Sequence, residues 1–177
     1  MKMPSLPTLF LILALGSALI IGSALFSQYV LAMDPCGLCL RQRLGHYVAI
    51  PMALTAALSF ARQSGGSRPV SMILSVVVLL ALGFSLYWAS FHIGVEQKWW
   101  PGLESCGGGG DTSDISLEQW LNPEGGAPAY VPCDQPTIIF RWFFGGASMA
   151  TVHALILLPL TLLSAFVVVR AFRKSVN

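Results

Sequence analysis

The chain has 177 residues, of which 55% are hydrophobic and only 10% carry a charge. An ordinary soluble domain has about 25% charged residues. This composition excludes a disordered chain, a basic nucleic-acid-binding protein and most water-soluble enzymes. The net charge of +2 is too small to indicate a class of partner, so the positions of the charges carry the information.

Four long apolar runs follow one another along the chain, at residues 10–31, 44–61, 70–91 and 147–169. None contains Asp, Glu, Lys or Arg, and a helix needs about 20 residues to cross a hydrocarbon core about 30 Å thick. Because backbone polar groups in lipid must be paired within their own segment, each run is predicted to be a transmembrane helix. The predicted fold is all-α, an integral membrane four-helix bundle that forms a single domain over residues 1–177.

The charges indicate the orientation of the bundle. Four spans place both tails and the short link 62–69 on one side, and these segments contain six basic residues and no acidic residue. Segments 32–43 and 92–146 contain four basic residues and all eight acidic residues. The positive-inside rule therefore predicts that both termini are cytoplasmic and that loops 32–43 and 92–146 face outward.

All four cysteines lie in the two outward loops: Cys36 and Cys39 in the first, Cys106 and Cys133 in the second. Thiols outside the cytoplasm can be oxidised and stay oxidised, so two disulfides are expected. The spacing Cys36-Gly-Leu-Cys39 suits redox cycling and commonly lowers the pKa of a cysteine. Haem attachment needs His after the second cysteine, where this chain has Leu40. A zinc ribbon needs a second short-spaced pair, which is absent from the sequence, so no metal site is expected.

The first cysteine pair lies next to the second predicted span. Cys39 is therefore expected near a helix N-terminus, where the macrodipole favours a thiolate. If the helix has already begun, Arg43 lies one turn from Cys39 on the same face and could stabilise a reduced intermediate or hold an electron acceptor. In the alternative, Arg41 and Arg43 only anchor the helix in the lipid headgroups, and the spacing leaves both interpretations open.

The second cysteine pair is separated by 26 residues, nine of which are Gly or Pro. A disulfide between Cys106 and Cys133 could be a structural staple. Because a loop rich in Gly and Pro is expected to be mobile, this disulfide would also be a good target for an incoming thiolate. Two outward disulfides on one small bundle indicate a relay that passes electrons between sulfur pairs and then to a lipid-soluble carrier.

These features resemble the DsbB family, the bacterial disulfide bond formation protein B. The resemblance covers nearly the whole chain and rests on residues 35–39 (Pro-Cys-Gly-Leu-Cys) with Arg43, residues 92–101 leading to Cys106, residues 132–134 (Pro-Cys-Asp), and residues 146–150 at the start of the last helix. It implies a multi-pass protein of the bacterial inner membrane, with periplasmic loops that carry both cysteine pairs.

The resemblance also implies a reaction. A reduced periplasmic thioredoxin-fold oxidase, DsbA in that family, would attack Cys106 of a Cys106–Cys133 disulfide. Exchange with Cys133 would then reduce the Cys36–Cys39 pair. By the family pattern Cys39 contacts a quinone as a thiolate, Arg43 assists, and His92 lies near the quinone. The sequence does not distinguish ubiquinone from menaquinone.

Two rival functions fit part of this pattern. A vitamin K epoxide reductase-like quinone reductase also has four helices and a CxxC motif, but its loop cysteines precede that motif, whereas here they follow it. A non-enzymatic membrane scaffold with two structural disulfides would need neither Arg43 nor a reducible bond.

Overall fold

The structure is a computed structural model that describes residues 4–61, 68–103, 132–134, 138–140 and 147–176. Within these residues there are four α-helices: α1 Leu6–Tyr29, α2 Gly37–Ala61, α3 Arg68–Glu96 and α4 Met149–Val176. Two short antiparallel strands, β1 Ile138–Phe140 and β2 Ala147–Ser148, precede α4. All four helices are long and apolar enough to cross a membrane. The prediction of an all-α, multi-pass membrane protein is confirmed.

All four helices extend beyond their predicted spans at one end or both, and two of these extensions lie next to the cysteine loops. Helix α2 begins at Gly37 instead of residue 44, and α3 continues to Glu96 instead of residue 91. The sequence prediction followed apolar residues and stopped at polar ones. The polar side chains in these added turns are nevertheless buried: Gln42 is 3%, Arg43 8% and His92 4% exposed. Since their partners lie inside the protein, the helices continue through them.

The helices pack side by side around an apolar core. Helix α2 packs against α1 and α3, and α3 packs against α4. The core includes Phe10, Leu13, Val78, Leu82 and Leu157, none more than 1% exposed. The large apolar side chains on the outer faces remain exposed, as expected of surfaces that meet lipid.

Small residues bring α2 close to its neighbours. Ala49, Ala53 and Ala57, spaced four apart, are at most 4% exposed, whereas Ala61 is exposed. At Gly45 an added Cβ would meet the Ala81 carbonyl oxygen of α3 well inside van der Waals contact. This close approach of α2 and α3 sets where the first turns of α2 lie against the end of α3.

We expect Gly45→Ala to destabilise the protein by about 1–3 kcal/mol, because the new methyl group must displace the α3 backbone. Gly83→Ala, in the middle of α3, is the matched control, since no atom lies within 4 Å of its added Cβ. The control should be neutral or stabilising by up to about 1 kcal/mol through helix propensity. Thermal unfolding in detergent, followed by tryptophan fluorescence, measures both, and equal melting temperatures for the two variants would contradict the close approach.

Candidate functional site

Three of the four predicted catalytic cysteines come together at one end of the bundle. Cys36 and Cys133 share a buried cluster with Leu38 and Val95, and Cys39 packs against it. Cys36 is 6% and Cys133 1% exposed. Cys133 is disulfide-bonded, whereas Cys36 and Cys39 are free thiols. The fourth, Cys106, lies outside the described residues.

The first turn of α2 positions the Cys36–Cys39 pair. The Cys36 carbonyl oxygen accepts a hydrogen bond from the Leu40 amide at 3.2 Å, the first bond of the helix. The Cys36 sulfur accepts one from the Cys39 amide at 3.3 Å. Cys36 therefore occupies the cap position of α2, where the unpaired amides and the macrodipole favour a negative charge. The predicted span begins at residue 44, whereas the helix begins at Gly37 and its cap is Cys36.

The Cys36 sulfur has two further side-chain contacts. Its Sγ and that of Cys39 lie 2.9 Å apart and share a hydrogen bond, and His92 Nε2 lies 3.8 Å from Cys36 Sγ. Once Cys36 is ionised it can only accept, so the Cys39 thiol is then the donor. The bond from Cys39 lowers the pKa of the Cys36 thiol to about 4; burial raises this pKa, and His92 lowers it further. The lowered pKa therefore favours the thiolate on Cys36 in the reduced pair, whereas the family pattern places it on Cys39.

His92, near the end of α3, faces both cysteine-bearing segments. Besides its contact with Cys36, a hydrogen bond joins it to the backbone of Cys133. The Gln42 amide nitrogen lies 2.8 Å from His92 Nδ1 and donates to it. The neutral imidazole then carries its proton on Nε2, the nitrogen that faces Cys36. The structure thus brings the predicted residue His92 into the site beside Cys36.

Sequence reasoning missed Gln42 and Glu96. Gln42 follows Cys39 by three residues, so it shares that face of α2, a signal that could have found it. Glu96 Oε1 lies 3.8 Å from His92 Nε2, and its Oε2 accepts a hydrogen bond from the Ser148 hydroxyl at 2.5 Å. This contact joins the end of α3 to the start of α4 and had no signal in the sequence.

The two arginines of α2 have different environments. Arg43 is buried, and its Nη1 donates to Gln28 Oε1 of α1 at 2.6 Å. Arg41 is exposed, with its Cζ 4.8 Å from the centroid of the Trp88 ring. The headgroup-anchor interpretation therefore fits Arg41 but not Arg43. Trp88 packs against the cysteine cluster, and its buried Nε1 has no hydrogen-bond partner among the described residues.

The two remaining histidines pair with each other. His46 Nε2 lies 3.1 Å from His153 Nε2, which connects α2 to α4. His46 is fully buried, so the bond lies inside the bundle.

Comparison with known proteins agrees with this geometry. The family model of the disulfide bond formation protein DsbB matches residues 7–167. The chain belongs to the DsbB family. A curated relative, disulfide bond formation protein B of Chromobacterium violaceum, is 38% identical over 77 residues, which are 44% of this chain and 46% of the relative. The match thus spans about half the length of that relative. No solved structure matches the chain.

The free Cys36–Cys39 pair lies within the residues that the DsbB family model matches. The structure adds to the family assignment the hydrogen bonds that hold the pair. Three donors surround the Cys36 sulfur: the Cys39 amide, the Cys39 thiol and His92.

We expect the alkylation rate of Cys36 in the reduced protein to stay constant as the pH falls from 8 to about 5. The reason is that a thiol with a lowered pKa remains a thiolate as long as the pH is above that pKa. The rate should fall tenfold per unit only below about pH 4. Quenched-flow alkylation with a small reagent, with tandem mass spectrometry to locate the label, measures this. His92→Asn should move the fall in rate to higher pH, because the His92 contact lowers the pKa of Cys36. A rate that already falls tenfold per unit below pH 8 would contradict the assignment.

Proposed function

We propose that this protein is a thiol:quinone oxidoreductase that reoxidises a periplasmic DsbA-like thioredoxin-fold oxidase and passes the electrons to a membrane quinone. The observation that carries the proposal is the convergence of Cys133 with the Cys36–Cys39 pair in one buried cluster. Thiol–disulfide exchange requires the attacking thiolate to reach the disulfide sulfur, and this cluster brings residues of the two predicted loops into one place.

The exchange begins at the second pair. A thiolate of the reduced partner attacks Cys106, the Cys106–Cys133 bond breaks, and Cys133 leaves as a thiolate. Cys133 attacks Cys36 of the oxidised Cys36–Cys39 pair, and Cys39 leaves as a thiolate. The partner's second thiolate then attacks its own sulfur in the mixed disulfide, and Cys106 is released as a thiolate.

The second half of the cycle restores the Cys106–Cys133 bond. Cys106 attacks Cys133 of the Cys36–Cys133 disulfide, and Cys36 leaves. The partner has then lost two electrons and its disulfide has formed, while Cys36 and Cys39 have gained those electrons. A low pKa makes Cys36 a good leaving group in this step. Free Cys36 and Cys39 beside a disulfide-bonded Cys133 correspond to this point of the cycle.

The electrons then leave the Cys36–Cys39 pair. A membrane quinone, when bound, supplies the two-electron acceptor, and its two carbonyl oxygens need hydrogen-bond donors. Two donors fit that requirement: the Arg43 guanidinium, one helical turn from Cys39, and the buried Trp88 Nε1, to which no residue in the described part of the chain is hydrogen-bonded. Gln28 holds the guanidinium in place through its side-chain oxygen. We assign Arg43 and Trp88 to binding the acceptor and His92 to stabilising the Cys36 thiolate.

The same proposal fixes the orientation in the bacterial inner membrane. The cysteine cluster joins the N-terminus of α2 to the C-terminus of α3, so it lies at one end of the bundle. At the other end, Arg170 Nη1 donates to the Pro4 carbonyl oxygen at 2.5 Å, which holds the two tails together. We place the cluster at the periplasmic surface and both termini in the cytoplasm, in agreement with the positive residues of the tails.

Reconstitution tests the relay directly. Protein in lipid nanodiscs with quinone should reoxidise a reduced DsbA-like partner catalytically, and Cys36→Ser or Cys106→Ser should lower the turnover by more than about 100-fold, because each breaks the covalent path. Gly83→Ala serves as a folded control with full turnover. Undiminished turnover in either cysteine variant would favour a scaffold with structural disulfides.

Arg43→Ala should raise the apparent KM for quinone about tenfold or more, as expected for the loss of a hydrogen bond from a charged donor. Gln28→Leu should raise the same KM by a smaller factor, because the guanidinium remains but loses its support. Arg41→Ala is the matched control and should leave it unchanged. The KM for the partner should stay constant throughout. An unchanged quinone KM in Arg43→Ala would remove Arg43 from the acceptor site.

A further inference from the structure

We propose that the reduced Cys36–Cys39 pair and His92 form a redox-gated binding site for Zn²⁺, which holds the pair reduced and stops the electron relay. The Sγ atoms of Cys36 and Cys39 and a ring nitrogen of His92 all lie within 4.8 Å of one another. The inhibitory consequence rests on the proposed function, whereas the site itself rests only on these three side chains. Residue spacing does not predict this site, because His92 is far from both cysteines along the chain.

The separations suit a single small cation. Thiolate sulfur binds Zn²⁺ at about 2.3 Å and imidazole nitrogen at about 2.0–2.1 Å, so a tetrahedral site separates two sulfurs by about 3.8 Å and a sulfur from a nitrogen by about 3.5 Å. Cys36 Sγ and His92 Nε2 are 3.8 Å apart, close to that value. The two sulfurs, at 2.9 Å, must separate by about 0.9 Å, which small rotations about their Cα–Cβ bonds provide.

The donor set matches the preference of Zn²⁺. Two thiolates and one imidazole, with a fourth position open, are the ligands of one class of zinc site. The Glu96 carboxylate is close to that fourth position, since its Oε1 lies 3.8 Å from His92 Nε2. Water or this carboxylate would complete the coordination.

Charge makes the site specific for the reduced pair. Zn²⁺ displaces to solvent the thiol proton that the reduced pair still carries. Two thiolates and one divalent cation then give a core without net charge, which a poorly hydrated site tolerates. No electrons move in this step. The nearby Arg43 opposes the cation and Glu96 favours it. A Cys36–Cys39 disulfide has no thiolate to offer, so oxidation removes two of the three ligands.

Gln42 can form a hydrogen bond with His92 in both its metal-free and its metal-bound tautomer. In the structure its amide nitrogen donates to His92 Nδ1, which leaves the proton on Nε2. Metal binding through Nε2 moves the proton to Nδ1, and the Gln42 amide then turns over so that its oxygen accepts that proton. A side chain that can only accept, such as glutamate, would favour the metal-bound tautomer.

The test uses the full chain in detergent, without quinone, in a Cys106→Ser/Cys133→Ser background so that Cys36 and Cys39 are the only thiols. Isothermal titration with Zn²⁺ should give one ion per reduced chain and no binding after oxidation of the pair. His92→Asn should bind at least tenfold more weakly, while His153→Asn, the matched histidine control, should bind as the parent does. Equal affinity in His92→Asn, or binding by the oxidised pair, would overturn the site.

Two further measurements sharpen the result. Gln42→Glu should tighten Zn²⁺ binding several-fold, and equal or weaker binding would contradict the role of Gln42. In the chain with all four cysteines, Zn²⁺ should protect Cys36 from alkylation, which tests the site if the double serine variant fails to fold; unprotected Cys36 would overturn it. Absence of Zn²⁺ binding with intact quinone-dependent turnover would reject only this site, and Zn²⁺ binding without turnover would reject only the proposed function.

Discussion

The Cys36 sulfur caps helix α2, and the rest of the site depends on that interaction. The cap requires α2 to begin at Gly37, which places Cys39 in the first turn with its amide and thiol directed at Cys36. A third donor, His92, approaches from α3. Charge-assisted hydrogen bonds of this kind stabilise an anion where water is scarce. This geometry provides the leaving group that the proposed relay requires at Cys36.

Burying polar side chains in a membrane bundle is costly unless each finds a partner. Here the partners come from different helices: Gln28 of α1 accepts from Arg43, and Gln42 of α2 donates to His92 of α3. The close contact at Gly45 lets the Ser85 hydroxyl of α3 donate to the Gln42 carbonyl oxygen at 2.7 Å. The polar network therefore fixes the relative positions of three helices at the end of the bundle where the cysteines lie.

The sequence predicted the parts of this protein that depend on local composition. Apolar runs without charge gave the four helices, and the CxxC spacing and the position of Arg43 gave the first half of the site. Helix ends were predicted poorly because buried polar residues such as Gln42 and Glu96 look like loop residues when their partners are unknown. The contact between Gln28 and Arg43 escaped prediction for the same reason, since no spacing rule relates the two residues. The approach of Cys133 to the first cysteine pair was implied only by the family resemblance.

In the proposed relay, electrons pass between the two cysteine pairs through Cys36 and Cys133. The direct measurement is disulfide mapping by mass spectrometry in two double variants, Cys39→Ser/Cys106→Ser and Cys36→Ser/Cys106→Ser, after mild oxidation. A Cys36–Cys133 bond should form in most chains of the first variant, and little Cys39–Cys133 bond should form in the second. Equal cross-linking in both, or none in the first, would contradict the account.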